Sequence, residues 1–145
     1  MVSGIHHTGI TVSDMDRSII FYERVLGAEV LWRRPGIASD YARVVVGVPD
    51  AVMSGALLSV PGGGCLELVE YEQPAGEHIR ARPCDIASSH VAVVVDDLAA
   101  QYRLLTESGC ELISGPECLE GATSTGGRTA YARDPDGALL EFMQL

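Results

Sequence analysis

The chain has 145 residues, 47% of them hydrophobic, and a formal net charge of −10 at pH 7. That length suits one domain or two small halves, and an acidic chain with no basic patch excludes a nucleic-acid partner. All ten basic residues are arginines, which excludes Schiff-base chemistry on lysine and a P-loop lysine.

The N-terminal MVSGIHH has neither a basic start nor a long apolar run, so it does not read as a signal peptide. No apolar run approaches the roughly 20 residues that a bilayer span needs. A cytoplasmic protein is expected. Cys65, Cys84, Cys110 and Cys118 form no CxxC pair and are expected as small buried hydrophobes without disulfides.

Residues 7–12 read as a strand, with His7, Gly9 and Thr11 on one side and Thr8, Ile10 and Val12 on the other. Ser13-Asp14-Met15-Asp16 has the capping-box form. Met15, Ile19, Tyr22 and Leu26 follow at helical spacing, and Gly27 stands where a C-cap glycine belongs. Strands are expected at 28–33, 55–60 and 65–71, with a short helix within 38–48. The polar stretch 73–87 reads as a linker. A second strand opens at His90. Asp96 or Asp97 can cap the following helix, whose stripe is Leu98, Tyr102 and Leu105, and Gly109 ends it. Further strands are expected near 110–114, 128–133 and 138–144, and GATSTGG at 121–127 reads as a flexible loop.

The second half repeats the first. His90 stands 83 positions after His7, and the same shift carries Val12 to Val95 and Asp14 to Asp97. GGGCLELVEY (62–71) resembles DGALLEFMQL (136–145), each a glycine turn and an apolar strand holding a glutamate. The expected architecture is α+β, with two βαβββ modules at 1–72 and 88–145 joined by the linker.

Each module opens with a histidine strand and closes with a glutamate strand. By alternation Glu67 lies with Cys65 and Val69, and Glu141 with Leu139 and Met143. A carboxylate on a half-buried strand is costly unless it is paired or bound to a cation. Pseudo-symmetry would bring His7, Glu67, His90 and Glu141 to one centre. Two imidazoles and two carboxylates suit a divalent metal of intermediate softness. By the same alternation His6 faces away. Glu70 faces away from Glu67 and reads as a surface or interface charge, and His78 has no counterpart in the repeat.

The stretches HHTGITVSDMDRSIIFYERVLG, LELVEY, SHVAVVVDDL and YARDPDGALLEFMQL together resemble the vicinal oxygen chelate superfamily. Its members include glyoxalase I, methylmalonyl-CoA epimerase, fosfomycin- and bleomycin-resistance proteins and extradiol dioxygenases. The resemblance implies paired βαβββ modules forming a curved half-barrel sheet around one divalent metal (Ni, Co, Zn, Mn or Fe). It implies His7, Glu67, His90 and Glu141 as ligands, with the DPDG aspartates as turn-formers. Four candidate ligands match bacterial-type glyoxalase I better than the three-ligand members. The implied activity is a lyase or isomerase that shifts a proton beside a metal-chelated carbonyl through an enediolate, with Glu141 or Glu67 as base. The alternatives are a non-haem iron extradiol-type dioxygenase and a drug-binding protein without catalysis. The expected partner is a small molecule with adjacent oxygens, with Arg128 and Tyr131 as candidate substrate contacts, and a homodimer is expected.

Overall fold

A computed structural model of the chain describes residues 1–118 and 127–145. It divides into two compact units, Met1–Glu77 and His78–Leu145. The architecture is mixed α+β with two open sheets, as the sequence predicts.

The first unit runs β1 (Thr8–Val12), α1 (Met15–Leu26), β2 (Glu29–Ile37), α2 (Asp40–Val46), β3 (Val52–Ser59) and β4 (Cys65–Gln73). Its sheet order is β1-β4-β3-β2. β1 and β4, the first and last strands, pair in parallel, while β3 pairs antiparallel with both β2 and β4. Parallel neighbours need a crossover, so β1 enters α1 directly. The N-cap of α1 is Asp14, whose side chain accepts from Arg17 N, and Gly27 closes the helix at φ 64°. The expected capping box starts one residue early: Ser13 Oγ instead accepts from the Arg17 guanidinium at 2.9 Å. Met15, Ile19 and Tyr22 are buried as expected, joined by Phe21 and Val25. Leu26 is only partly buried, because the apolar stripe drifts round the helix by its last turn.

Glu70 is not a free surface charge. Its carboxylate accepts the backbone N–H of Met15 at 3.0 Å, which ties the start of α1 to β4. The short helix expected within 38–48 forms as α2, with Ser39 as N-cap and Gly47 as C-cap. β2 runs beyond the expected 28–33, because irregularities at Val30/Trp32 and Arg34/Ile37 carry it past Pro35 without breaking its pairing with β3.

The second unit runs β5 (His90–Val94), α3 (Leu98–Glu107), β6 (Glu111–Leu112), β7 (Glu117–Cys118), β8 (Arg128–Arg133) and β9 (Leu139–Gln144). The sheet order is β5-β9-β8-β6, with β7 also on β8, and β5 is parallel to β9. Asp97 caps α3. Gly109, at φ 71°, follows a C-cap at Ser108. Gln144 does for α3 what Glu70 does for α1: its side-chain oxygen accepts from Leu98 N at 2.9 Å. The expected strand at 110–114 shortens to two residues. Of the expected loop 121–127, residues 121–126 lie outside the described residues.

α1 packs on the sheet of the first unit and α3 on that of the second. The fully buried side chains include Tyr22, Leu58 and Leu68 in the first unit and Leu98, Leu105 and Phe142 in the second. The cysteines form no disulfide among the described residues, but they depart from expectation in burial: none is buried, and Cys84 and Cys118 are exposed. Cys65 and Cys110 stand at strand and helix margins, where the flanking glycine turns leave them partly open.

Candidate metal centre

The register of each sheet positions its histidine and glutamate. In the first unit Gly9 stands opposite Glu67 across the parallel β1–β4 pair. Opposed residues share a face, as do residues two apart on a strand, so His7 falls on the face that Glu67 occupies. His7 Nε2 is 3.1 Å from Glu67 Oε2. In the second unit Ala92 stands opposite Glu141, and His90 falls on the face of Glu141 by the same rule. His90 Nε2 is 3.1 Å from Glu141 Oε2. One distance therefore recurs at equivalent places.

That spacing is a hydrogen bond between imidazole and carboxylate. It also suits a shared cation. A nitrogen and an oxygen each about 2.1 Å from one ion, at a right angle, lie about 3 Å apart. The spacing of each pair is therefore compatible with adjacent positions on a divalent metal. Among the described residues no three His, Cys, Asp or Glu side chains group together as a metal cluster, so what each unit supplies is a pair.

The two pairs differ in their surroundings. Glu141 faces Tyr131 across β8–β9. The Tyr131 hydroxyl donates to Glu141 Oε2 at 2.9 Å, and Thr129 Oγ1 donates to Glu141 Oε1 at 2.9 Å. Tyr131 also lies 3.4 Å from His90 Nε2. Burial pushes the Tyr131 phenol up to about 12, and its hydrogen bond to Glu141 and that carboxylate's charge push the same way. The Glu141 side chain is 12% exposed. Glu67 faces Leu57 instead, and its side chain is 31% exposed. Among the described residues its carboxylate has no hydroxyl donor.

His6 bears on the site in a way that alternation does not anticipate. Its Nδ1 lies 2.7 Å from His7 Nδ1. With Nε2–H donating to Glu67, His7 Nδ1 accepts from His6; in the other tautomer His7 Nδ1–H donates to His6 and Nε2 is bare, the form a metal ligand requires in place of the hydrogen bond to Glu67. The doubled HH was the available signal. Thr129 was also missed, although Thr129 and Tyr131 sit two apart on one strand, on the face that meets the DPDG strand. Arg128, a candidate substrate contact, donates from its guanidinium to Pro116 O at 3.0 Å. Tyr131, the other, is engaged with Glu141. His78 lies 3.9 Å from Asp136 Oδ1. Asp134 accepts from Asp136 N and Ala138 N, so it forms the DPDG turn.

This duplicated fold with twin histidine–glutamate pairs belongs to a defined group of proteins. The family model of the Glyoxalase/Bleomycin resistance protein/Dioxygenase superfamily matches residues 4–142, and the chain belongs to that superfamily. It is 31% identical over 146 residues to a 2-epi-5-epi-valiolone epimerase from Actinomyces sp, covering 97% of this chain and 79% of the relative. It is 30% identical over 142 residues to the lactoylglutathione lyase of Haemophilus influenzae, covering 97% and 91%. A glyoxalase family protein from Bacillus cereus shares the fold with a TM-score of 0.87 at 22% identity, covering 99% of this chain and 95% of that one. The fosfomycin resistance protein FosX of Listeria monocytogenes, solved with Mn(II) and sulfate, shares the fold. That chain matches with a TM-score of 0.66 at 16% identity over 100% of this chain and 94% of its own.

Proposed function

We propose that the protein is a metal-dependent lyase or isomerase of the glyoxalase or epimerase type, with His7, Glu67, His90 and Glu141 as ligands of one divalent metal. The observation that carries this reading is the recurrence of one His–Glu pair, at 3.1 Å, in both units. Two carboxylates neutralise the 2+ charge, and a six-coordinate ion would keep two positions for neighbouring oxygens of a small-molecule substrate. A bound metal supplies Lewis acidity, drawing charge from a chelated carbonyl and acidifying the adjacent C–H. One glutamate takes that proton and returns it to the substrate, while the imidazoles and the other glutamate hold the geometry. Relatives named as a lyase and an epimerase support proton movement over oxygen insertion. The protein acts as a homodimer in the cytoplasm. Among the described residues no helix is long and apolar enough to cross a membrane.

The test is metal analysis of protein purified without added metal, beside His7→Ala and Glu141→Ala. Stoichiometric metal in the parent and its loss in both variants is the expected result. Tight small-molecule binding indifferent to chelators would overturn the reading in favour of a sequestering protein. Oxygen consumption with a catechol would overturn it in favour of a dioxygenase. Mixing a His7→Ala/Glu67→Ala chain with a His90→Ala/Glu141→Ala chain tests whether the pairs combine across two copies, since only then does metal binding return.

A further inference from the structure

From the face on which β2 sets its side chains, we infer that Arg34, seated on the ring of Trp32, is a subsite for a carboxylate that the substrate carries a few carbons from its metal-binding oxygens. This rests on the proposed function and deepens it by naming a substrate class: a carbonyl compound with neighbouring oxygens at one end and a carboxylate at the other.

β2 reaches this face by breaking its own alternation. Val30 stands opposite Leu58 and Trp32 opposite Leu57, so Leu31 is an extra residue between them. Residues 57 and 58 lie on opposite faces of β3. The extra residue turns the strand over, as bulges do; in an unbroken ladder Trp32 and Arg34 would join Val30 on the face of Leu58. Past the irregularity one row across the sheet reads Trp32, Leu57, Glu67 and Gly9, and the next reads Arg34, Gly55, Val69 and Thr11. Trp32 and Arg34 therefore share the face of Glu67, and His7, two residues before Gly9, falls on it too. With strands about 4.8 Å apart and about 3.3 Å of rise per residue, the α-carbons of Arg34 and Glu67 are roughly 12 Å apart. Their side chains, reaching toward each other, leave space for a molecule of a few carbons.

Gly55 supplies the floor. A Cβ there would lie 3.3 Å from Trp32 Cζ3, so the indole rests against the bare backbone of β3. Arg34 Cζ is 5.7 Å from the centre of the Trp32 ring, within cation–π range. Stacking occupies the face of a guanidinium and leaves its in-plane N–H donors free to fork onto a carboxylate. It also orders a flexible side chain beforehand, so less entropy is lost on binding. The neighbouring Arg33 gives the contrast: it stands opposite Ala56 on the other face, and its guanidinium pairs with Asp16 of α1. Arg34 is exposed, and among the described residues its guanidinium meets no carboxylate. One guanidinium without a second cation matches the single charge of a carboxylate better than a phosphate dianion. In a chain of net charge −10 an anion is repelled at range, and Arg34 supplies the local attraction.

The test uses the full-length protein loaded with Zn(II) and two probes of one length, 2-oxoglutarate and 2-oxopentanoate. Both offer adjacent oxygens at one end, and only the first carries a carboxylate at the other. Calorimetry gives the affinities, and emission from Trp32, the chain's one tryptophan, reports occupation of the subsite. The parent is expected to prefer 2-oxoglutarate by about 10–100-fold, the worth of a hydrogen bond to a charged group. Arg34→Met is expected to bind both probes alike within about threefold, and to keep Zn(II) and the melting temperature. Arg34→Lys, which keeps the charge without the fork, is expected to fall between the two. Arg33→Met removes an equal charge from the other face and is expected to keep the parent preference. The subsite is overturned if the parent shows no preference, if Arg34→Met retains it, or if Arg33→Met loses as much as Arg34→Met. Glutarate, which has no ketone, separates this failure from that of the metal reading. In chelator-treated parent it is expected to shift Trp32 emission, and in Arg34→Met it is not. A parent that binds no Zn(II) but answers to glutarate sinks the proposed function and leaves the carboxylate subsite standing; one that answers to neither sinks both. A shift with inorganic phosphate and none with glutarate overturns the choice of carboxylate.

Discussion

Replacing Glu70 with alanine should unfold the first unit more easily than any other single surface-facing change on β4. Met15 is 1% exposed, so its N–H has no water to turn to once the carboxylate at 3.0 Å is gone. An unsatisfied buried donor costs about 1–3 kcal/mol. Loss of a negative charge at a helix N-terminus costs about 0.3–1 kcal/mol more. The expected loss for Glu70→Ala is about 2 kcal/mol. Glu70→Gln should cost about 0.5 kcal/mol, because the second unit performs the same task with an amide: Gln144 accepts from Leu98 N at 2.9 Å. With a urea slope of about 2 kcal/mol/M, alanine lowers the midpoint by about 1 M and glutamine by about 0.25 M. Hydrogen exchange at the Met15 amide should quicken in the alanine variant alone. Equal losses for the two variants would show that charge, not an acceptor, does the work. A loss below about 0.5 kcal/mol for alanine would show that the α1 N-terminus finds another partner, and the tie to β4 would have to be abandoned.

Tyr131 should ionise well above an ordinary phenol in chelator-treated protein. Its phenol is raised from 10.0 to about 12, so the native state holds this proton longer than the unfolded chain does. The stability it contributes is present below pH 10 and fades as pH rises toward 12, which absorbance of phenolate and a denaturation series at each pH will check. Phe142 is fully buried, and Phe142→Ala should cost about 3–5 kcal/mol by urea unfolding; a loss under about 1 kcal/mol would mean the second unit's core lies elsewhere. At Gly55 a Cβ would lie 3.3 Å from Trp32 Cζ3. Gly55→Val should therefore displace the chain's one tryptophan, shift its emission and cost about 1–3 kcal/mol; an unchanged spectrum would refute that packing.

Much of this fold can be read from the chain because periodicity and punctuation agree. The 3.6-residue stripe of α1 ends on Gly27, and the His7 and His90 strands carry small residues beside the glutamates they meet. The reading slipped where tertiary contacts decide. Nothing local distinguishes Ser13 from Asp14 as the cap of α1. Glu70 looks like any exposed acid until β4 is laid beside α1. Residues 28–37 contain Pro35 and Gly36, which argue for a break, yet the irregular pairing with β3 absorbs both. The cysteines were expected inside on composition alone, and composition does not know that Cys84 falls in an irregular stretch and Cys118 on a two-residue edge strand. The His7–Glu67 and His90–Glu141 pairs were legible because the repeat names both ends of each. The hydroxyls on Glu141 were not, since cross-strand neighbours need the register of β8 on β9.

The histidine and glutamate of each pair come from the first and last strands of their unit, and this has an energetic consequence. His7 and Glu67 meet only when β1 lies parallel to β4, after α1, β2 and β3 have been threaded between them; His90 and Glu141 meet only when β5 lies on β9. An unfolded chain holds neither pair at 3.1 Å. A cation bound as proposed would therefore select the folded units, and its binding free energy would add to their stability by mass action. The same connectivity explains why the helices are tied down at their N-termini from β4 and β9. Glu70 and Gln144 fasten α1 and α3 to the strands that carry Glu67 and Glu141, three residues along. A shift of β4 against β1 would separate His7 from Glu67 and pull Glu70 from Met15 together. Duplication preserved this coupling in both units, while the facing strand diverged from Gly55 and Leu57 in one to Thr129 and Tyr131 in the other. A scaffold kept only for packing has no need of two paired carboxylates on an open sheet face, nor of hydroxyls aimed at one of them.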